Sequence, residues 1–279
     1  PFPLINSLTR GGVVYNSPPG GYEVNTLNLN RYLFENYLSF SNFSCVADKL
    51  DINYVLVRGD YDFDFYGMET LPTMLTYFQN QKIPIEKNFS DKLFLYRIKD
   101  KRKVLSSYNA LSTYKDLKDL FNKLNNCQDR LFSGEVKTLD NNKVVNSRQL
   151  RFIKESNEKY TFDYDSNSNP FIVLYDSFNP TSKLYVHTKE LNWFDLLYSK
   201  PIDDKYHFVV NGFGNGWYLN NTEICSNMYK EKKVDFICGY KAIIYFEPLS
   251  YFYLGLTISI IFMLLCSTYL IYYLIKYLK

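Results

Sequence analysis

Side chains that do chemistry near neutral pH are scarce in this chain. Its 279 residues include two histidines, His187 and His207, and five cysteines. Neither histidine has a partner at metal-ligand spacing, so a structural or surface role is expected for both. No Gly-rich phosphate loop or nucleophile elbow occurs. In "YDFDFYGME" the aspartates Asp60, Asp62 and Asp64 alternate as on one strand face. They lack the glycine and distal glutamate of a calcium loop, and a solvated strand edge is the expected reading. Arg58-Gly59-Asp60 matches an adhesion tripeptide, but Arg58 closes an apolar strand and chance recurrence accounts for the match. The inventory predicts no catalytic residue, no metal site and no cofactor.

An excess of one charge is also missing. Thirty-two basic and 29 acidic residues are interspersed, for a net charge of +3. Without a basic block or stripe, nucleic acid is not an expected partner. At the start of the chain, "PFPLINSLTR" has no basic-then-apolar signal pattern and begins with Pro1.

Aromatic residues, by contrast, are abundant, with 27 Tyr and 22 Phe. Such an excess favours sheet over helix. From Pro248 to Ile275 no residue is charged, and "YFYLGLTISIIFMLLCSTYLIYYLI" (Tyr251 to Ile275) is 25 residues long. As a helix it would measure about 37 Å, against a hydrocarbon core of about 30 Å. Tyr251, Phe252 and Tyr253 at one end and Tyr272, Tyr273 and Tyr277 at the other resemble the aromatic belts of a spanning helix. A buried core helix, the alternative, is usually shorter and amphipathic.

Lys276 and Lys279 flank one end of this run and Glu247 the other. Basic flanks stay cytoplasmic, so the C-terminus is expected inside and residues 1 to 247 outside. Asn42-Phe-Ser, Asn88-Phe-Ser and Asn220-Asn-Thr are acceptors wherever a cell glycosylates. Cys225 and Cys238 flank "SNMYKEKKVDFI" about a charged turn, and paired strands there would bring them within disulfide range. Cys45 and Cys127 are a second candidate pair, and free buried cysteines are the alternative for both. An outer domain needs a delivering segment, so either a removed signal peptide or a longer parent protein is expected upstream.

Along the chain four regions are expected. Residues 1–104 form a small extracytoplasmic α/β unit with strands over Ile52–Val57 and Leu93–Ile98 and a helix over Thr70–Gln81. Residues 105–132 form a helical connector, from the near-helical spacing of apolar residues between Leu105 and Leu131. Residues 133–247 alternate in period two between "DNN", "ESNE" and "DSNSNP" turns. About six or seven strands there predict an antiparallel β-sandwich. Residues 248–279 form the transmembrane helix and a short tail. The predicted class is α+β.

Two aromatic and polar segments remain, "FIVLYDSFNPTSKLY" (Phe171 to Tyr185) and "NGFGNGWYLNN" (Asn211 to Asn221). Trp and Tyr beside Asn compose sugar-binding faces. Equally, Asn-Gly pairs make turns with positive φ and Trp217 would fill a core. Composition favours the turn and core. On that reading period two puts Trp217 and Leu219 on one face and Tyr218 on the other.

Together, "PFIVLYDSFNP", "HFVVNGFGNGWYLN" and "IIYFEPLSYFYLGLTISIIFMLL" resemble the C-terminal end of large multi-pass glycosyltransferase-like membrane proteins. These are the YfhO family and the arabinofuranosyltransferase-like proteins. Ser177 to Pro180, Asn211 to Trp217, and Phe246 with Pro248, Gly255, Leu256 and Ser259 match that frame, and "INYVLVRGD" (Ile52 to Asp60) resembles its outer-domain strand. Where the family often has Gly-Trp-Lys after the turn proline, this chain has Thr181, Ser182 and Lys183. The resemblance implies an extracytoplasmic part that binds or positions a glycan or lipid-linked sugar, with catalytic acids elsewhere. Asn215, Tyr218, Tyr175 and Asn179 are the candidate glycan contacts, and membrane lipid is the other expected partner. A single-span surface glycoprotein serving adhesion or assembly is the alternative.

Overall fold

The computed structural model of the chain describes residues 29, 32–33, 35–59, 69–99, 104–127, 131–133, 147–156, 158–165, 167–220, 223–225 and 239–278. The protein is mixed α+β, with antiparallel sheets and one C-terminal apolar helix. Two compact units alternate along the chain. Pro1–Leu150, Asn169–Asn179 and Lys205–Leu219 form the first, and Arg151–Ser168, Pro180–Asp204 and Asn220–Lys279 the second.

In the first unit, Asn42 opens helix α1 (Phe43–Lys49) by accepting the Cys45 N–H, which satisfies one otherwise orphaned donor. Strand β1 (Tyr54–Arg58) points Val55 and Val57 inward. Helix α2 (Leu71–Asn80) carries Pro72 in its first turn, where a missing N–H costs little. Met74 and Phe78, four residues apart, make its buried stripe, and Phe78 stacks on Tyr96 at 4.7 Å. Tyr96 belongs to β3 (Leu93–Arg97), which forms a hairpin with β2 (Ile85–Ser90), and β1 pairs antiparallel with β3. The inserted strand β2 reverses the chain before it reaches β1, so no parallel crossover forms.

The helix expected between Leu105 and Leu131 is confined to α3 (Leu117–Asn125), capped by Asp116. Before it come β4 (Leu105–Tyr108) and β5 (Leu111–Thr113), and after it β6 (Leu131–Ser133), parallel to β5. Leu105, Tyr108 and Leu111 are three apart and imitate a helical stripe. Their neighbours Ser106 and Ser107 are also buried, as in a strand covered on both faces. A disulfide between Cys45 and Cys127 joins α1 to the end of α3.

Past β7 (Ser147–Gln149) the chain enters the second unit with β8 (Ile153–Ser156) and β9 (Lys159–Asp165), then returns with β10 (Phe171–Ser177). It leaves again as β11 (Ser182–His187) and the short helix α4 (Trp193–Tyr198), and returns as β12 (His207–Val210) and β13 (Gly214–Tyr218). Strand β14 (Gly239–Phe246) and helix α5 (Pro248–Leu278) complete the second unit. The first unit's five-stranded sheet has the order β12-β13-β10-β4-β7, the second unit's four-stranded sheet β11-β14-β9-β8, and every pairing in both is antiparallel. In the second unit Tyr185, Leu191, Leu196, Ile243 and Tyr245 form a core against α4.

Helix α5 runs 31 residues and holds an 18-residue stretch with a mean hydropathy of 2.2, long and apolar enough to cross a membrane, and that stretch is not buried in the protein. Four of its Ser and Thr hydroxyls bond back within the helix. Thr257 donates to the Tyr253 carbonyl, Ser259 to Gly255, Ser267 to Met263 and Thr268 to Leu265. Such back-bonding removes the cost of an unpaired hydroxyl in hydrocarbon.

Candidate functional site

The two Asn-Gly pairs of residues 211–216 do different work. Asn211 and Gly212 have φ of 50° and 80°, and the turn closes with Phe213 N–H donating to the Val210 carbonyl at 3.1 Å. Two positive φ values are what a primed hairpin turn demands, and here the turn joins β12 to β13. The Asn211 side chain is fully buried. Its Oδ1 accepts the Phe132 N–H and its Nδ2 donates to the Lys49 carbonyl, both at 3.0 Å. The turn is thus pinned to β6 and to α1.

The second pair lies inside strand β13, not in a turn as expected. A Cβ on Gly216 would stand 2.3 Å from Val210 Cγ2 and 2.7 Å from Phe208 Cε2, so glycine leaves room for these side chains of β12. Asn215, also buried, repairs an interruption in the neighbouring strand. The register between β10 and β13 shifts between Leu174 and Ser177, a bulge that breaks the regular ladder. Asn215 Nδ2 donates to the carbonyls of Asp176 and Ser177, each at 3.0 Å. Its Oδ1 accepts the Asn179 N–H at 3.0 Å and lies 3.1 Å from His207 Nε2. Because Nδ2 faces two carbonyls, Oδ1 must be the acceptor, which places a proton on His207 Nε2. The histidine ring stacks on Trp217 at 4.6 Å, nearly parallel, and meets Phe178 at 4.8 Å.

Trp217 and Leu219 are buried while Tyr218 is half-exposed, as period two requires. Tyr218 lies against Phe171 and Tyr206. Of the four candidate glycan contacts, Asn215 and Asn179 are joined by a hydrogen bond. Asn179 and Tyr218 are half-exposed, and Asn215 and Tyr175 are turned inward. The Tyr175 hydroxyl shares a hydrogen bond with Tyr108. Burial pushes it well above the ordinary phenol range, helped by Tyr108 and by the carboxylates of Asp48 and Asp51. It stays neutral and out of reach of solvent, a structural hydrogen bond instead of an acid or base. Lys99 offsets the two carboxylates, at 2.6 Å from Asp51 and 3.4 Å from Asp48.

Cys225 is disulfide-bonded; Cys238, its expected partner, lies outside the described residues, as do Asp60, Asp62 and Asp64. Among the described residues no three His, Cys, Asp or Glu side chains gather closely enough to hold a metal ion.

Three participants have partners or a role that the sequence alone does not specify. Asn211 and His207 act through long-range partners that no local pattern reveals. The third is α4, "WFDLLY", whose signal was available. Asn192 and Asp195 form a reciprocal capping box, and three aromatic residues, Trp193, Phe194 and Tyr198, follow Asn192 within six positions. No family model, curated protein or solved structure matches the chain.

Proposed function

We propose that this chain is the extracytoplasmic C-terminal portion of a membrane glycosyltransferase-like protein of the YfhO and arabinofuranosyltransferase-like type. In this reading the extracytoplasmic part, built on antiparallel sheets, binds or positions a glycan or lipid-linked sugar, and catalysis lies elsewhere. The observation that carries the reading is the clamp made by Asn215. It fastens the bulge and turn at Asp176–Asn179 to the Asn211–Trp217 segment, uniting two of the segments on which the resemblance rests. In the third, the step from β14 to α5 is tied at Glu247, whose N–H donates to the carbonyl of Thr181 at 3.0 Å, the residue just past the same turn in sequence.

Helix α5 is the anchor, with its C-terminus cytoplasmic by the Lys276 and Lys279 flank. The Cys45–Cys127 disulfide supports an oxidising compartment for the remainder. Tyr218 would meet the ligand beside the apolar cluster that holds the buried Tyr175, whereas Asn179 would meet it at the other end of β13, where Asn215 holds the turn. Protease added to intact cells should digest the large domain and spare a C-terminal tag. In nanodiscs, photoreactive lipid-linked sugars should label the chain near Tyr218, and Tyr218→Ala should lose that labelling with a far smaller fall in melting temperature than Trp217→Ala. Absence of labelling across a sugar panel, with the topology as stated, would favour the adhesive or assembly protein instead. That second reading has its own support in β2, an edge strand exposed along its length, with Ile85 and Phe89 each 52% exposed.

A further inference from the structure

Short helix α4 turns large apolar side chains to solvent. Phe194 is 49% and Tyr198 74% exposed; they stand four residues apart on one face, with ring centroids 5.2 Å from each other. On the opposite face Leu196 is buried in the core with Ile243 and Tyr245. Water alone gives no reason to present this face.

The other side of α4 is fastened to the base of α5. Ser250 Oγ donates to the Trp193 carbonyl at 3.1 Å and shares a hydrogen bond with Tyr245 Oη at 3.2 Å. Three residues further along α5, the Tyr253 ring meets the Trp193 ring at 5.7 Å. Trp193 therefore sits beside the first two turns of α5. The uncharged run from Pro248 to Ile275 is about 42 Å long as a helix, roughly 12 Å more than the hydrocarbon core. Shared between the ends, that surplus puts the hydrocarbon boundary about four residues into α5, close to Tyr253. Rings of Trp and Tyr at this depth place an apolar body toward lipid and a polar edge toward headgroups.

We propose that α4 is a second membrane contact, lying in the headgroup and acyl boundary with Trp193, Phe194 and Tyr198 inserted beside Tyr251, Phe252 and Tyr253. It rests on the reading of α5 as a membrane span and adds a fixed attitude to it. Strand β14 enters α5 directly, and α4 packs on the Ile243 and Tyr245 face of the same sheet. Attachment at two points holds that sheet at a set tilt instead of letting it swing on a single tether.

The test uses the full chain in nanodiscs of neutral and anionic phospholipid, with and without acyl chains brominated near the headgroup. Cys266, a free and exposed thiol of α5, carries a bimane label that reports insertion of the span itself. Brominated lipid is expected to quench both the label and the part of the tryptophan emission that Trp193→Phe removes, while aqueous iodide leaves that part unchanged. Phe194→Asp with Tyr198→Asp should keep the melting temperature and lessen the tryptophan quenching. A quenched label with Trp193 open to iodide and untouched by bromine overturns the proposal and leaves the span intact. Unchanged tryptophan quenching in the double variant overturns the role of the exposed face. If neither probe is quenched, the span reading fails and takes the proposal with it.

Discussion

Replacing Asn215 by alanine is the sharpest test of the clamp. The substitution removes both Nδ2 donations, to the Asp176 and Ser177 carbonyls, and both contacts of Oδ1, with the Asn179 N–H and His207 Nε2. Asn215 is 1% exposed, so water does not readily replace it. At about 1 kcal/mol net for each hydrogen bond, and more where a buried group is orphaned, the loss comes to roughly 3–4 kcal/mol. For a unit of this size that is a fall of roughly 6–16 °C in melting temperature. A thermal melt of the chain in detergent or nanodiscs, followed by near-ultraviolet circular dichroism, reads it through the Trp217 and His207 stack. Asn215→Asp keeps the shape but sets a carboxyl against two carbonyls. Its folded-state pKa is then raised above the unfolded one, so the ionic part of the penalty vanishes below the unfolded pKa and is complete above the folded one. Stability of that variant should recover as pH falls. An alanine variant melting within about 2 °C of the native chain would show that the bulge carbonyls find other partners, and the clamp would be refuted. A stable alanine variant that has lost sugar labelling would make Asn215 a ligand contact.

Three further outcomes are expected. Trp217→Ala should cost roughly 3–5 kcal/mol, the usual range for a buried aromatic, whereas Tyr218→Ala, on the half-exposed side of β13, should cost far less; equal losses in parallel melts would contradict the facing. Replacing Cys45 and Cys127 by serine opens a link spanning a sequence separation of 82; the chain-entropy estimate is about 4.5 kcal/mol, and an unchanged urea midpoint would count against it. Burial, with Asp165 beside Tyr164 and Glu247 beside Tyr185, raises both phenols well above their ordinary value. The unfolded phenols ionise near pH 10 while the folded ones hold their protons, so stability is whole below that pH and falls as pH rises beyond it. Tyrosinate absorbance should therefore show exposed rings titrating first and buried rings only with unfolding; one smooth titration near pH 10 without unfolding would refute this.

Elements whose pattern is local were legible in sequence. The helix at Leu71–Asn80 follows from Pro72 in the first turn and the spacing of Met74 and Phe78. The facing of Trp217, Tyr218 and Leu219 follows from the pleat alone. Length and the absence of charge mark α5. The stretch from Leu105 to Tyr108 was misread because spacings of three serve a helix as well as a strand buried on both faces. Only its pairing with β10, more than sixty residues away, separates the two.

Composition and periodicity by themselves determined the α+β class, the aromatic bias toward sheet and the apolar C-terminal helix, since each depends on near neighbours along the chain. Tertiary structure decided the rest. A strand's alternation states which side is buried but never which strand lies beside it, so the passage of the chain back and forth between two units left no mark in sequence. Nor did the fate of the Asn-Gly pairs. Asn211 and Asn215 have the same side chain and the same following glycine, yet one turns the chain and the other mends a bulge. What separates them is the set of backbone groups that folding brings within 3.0 Å of each amide.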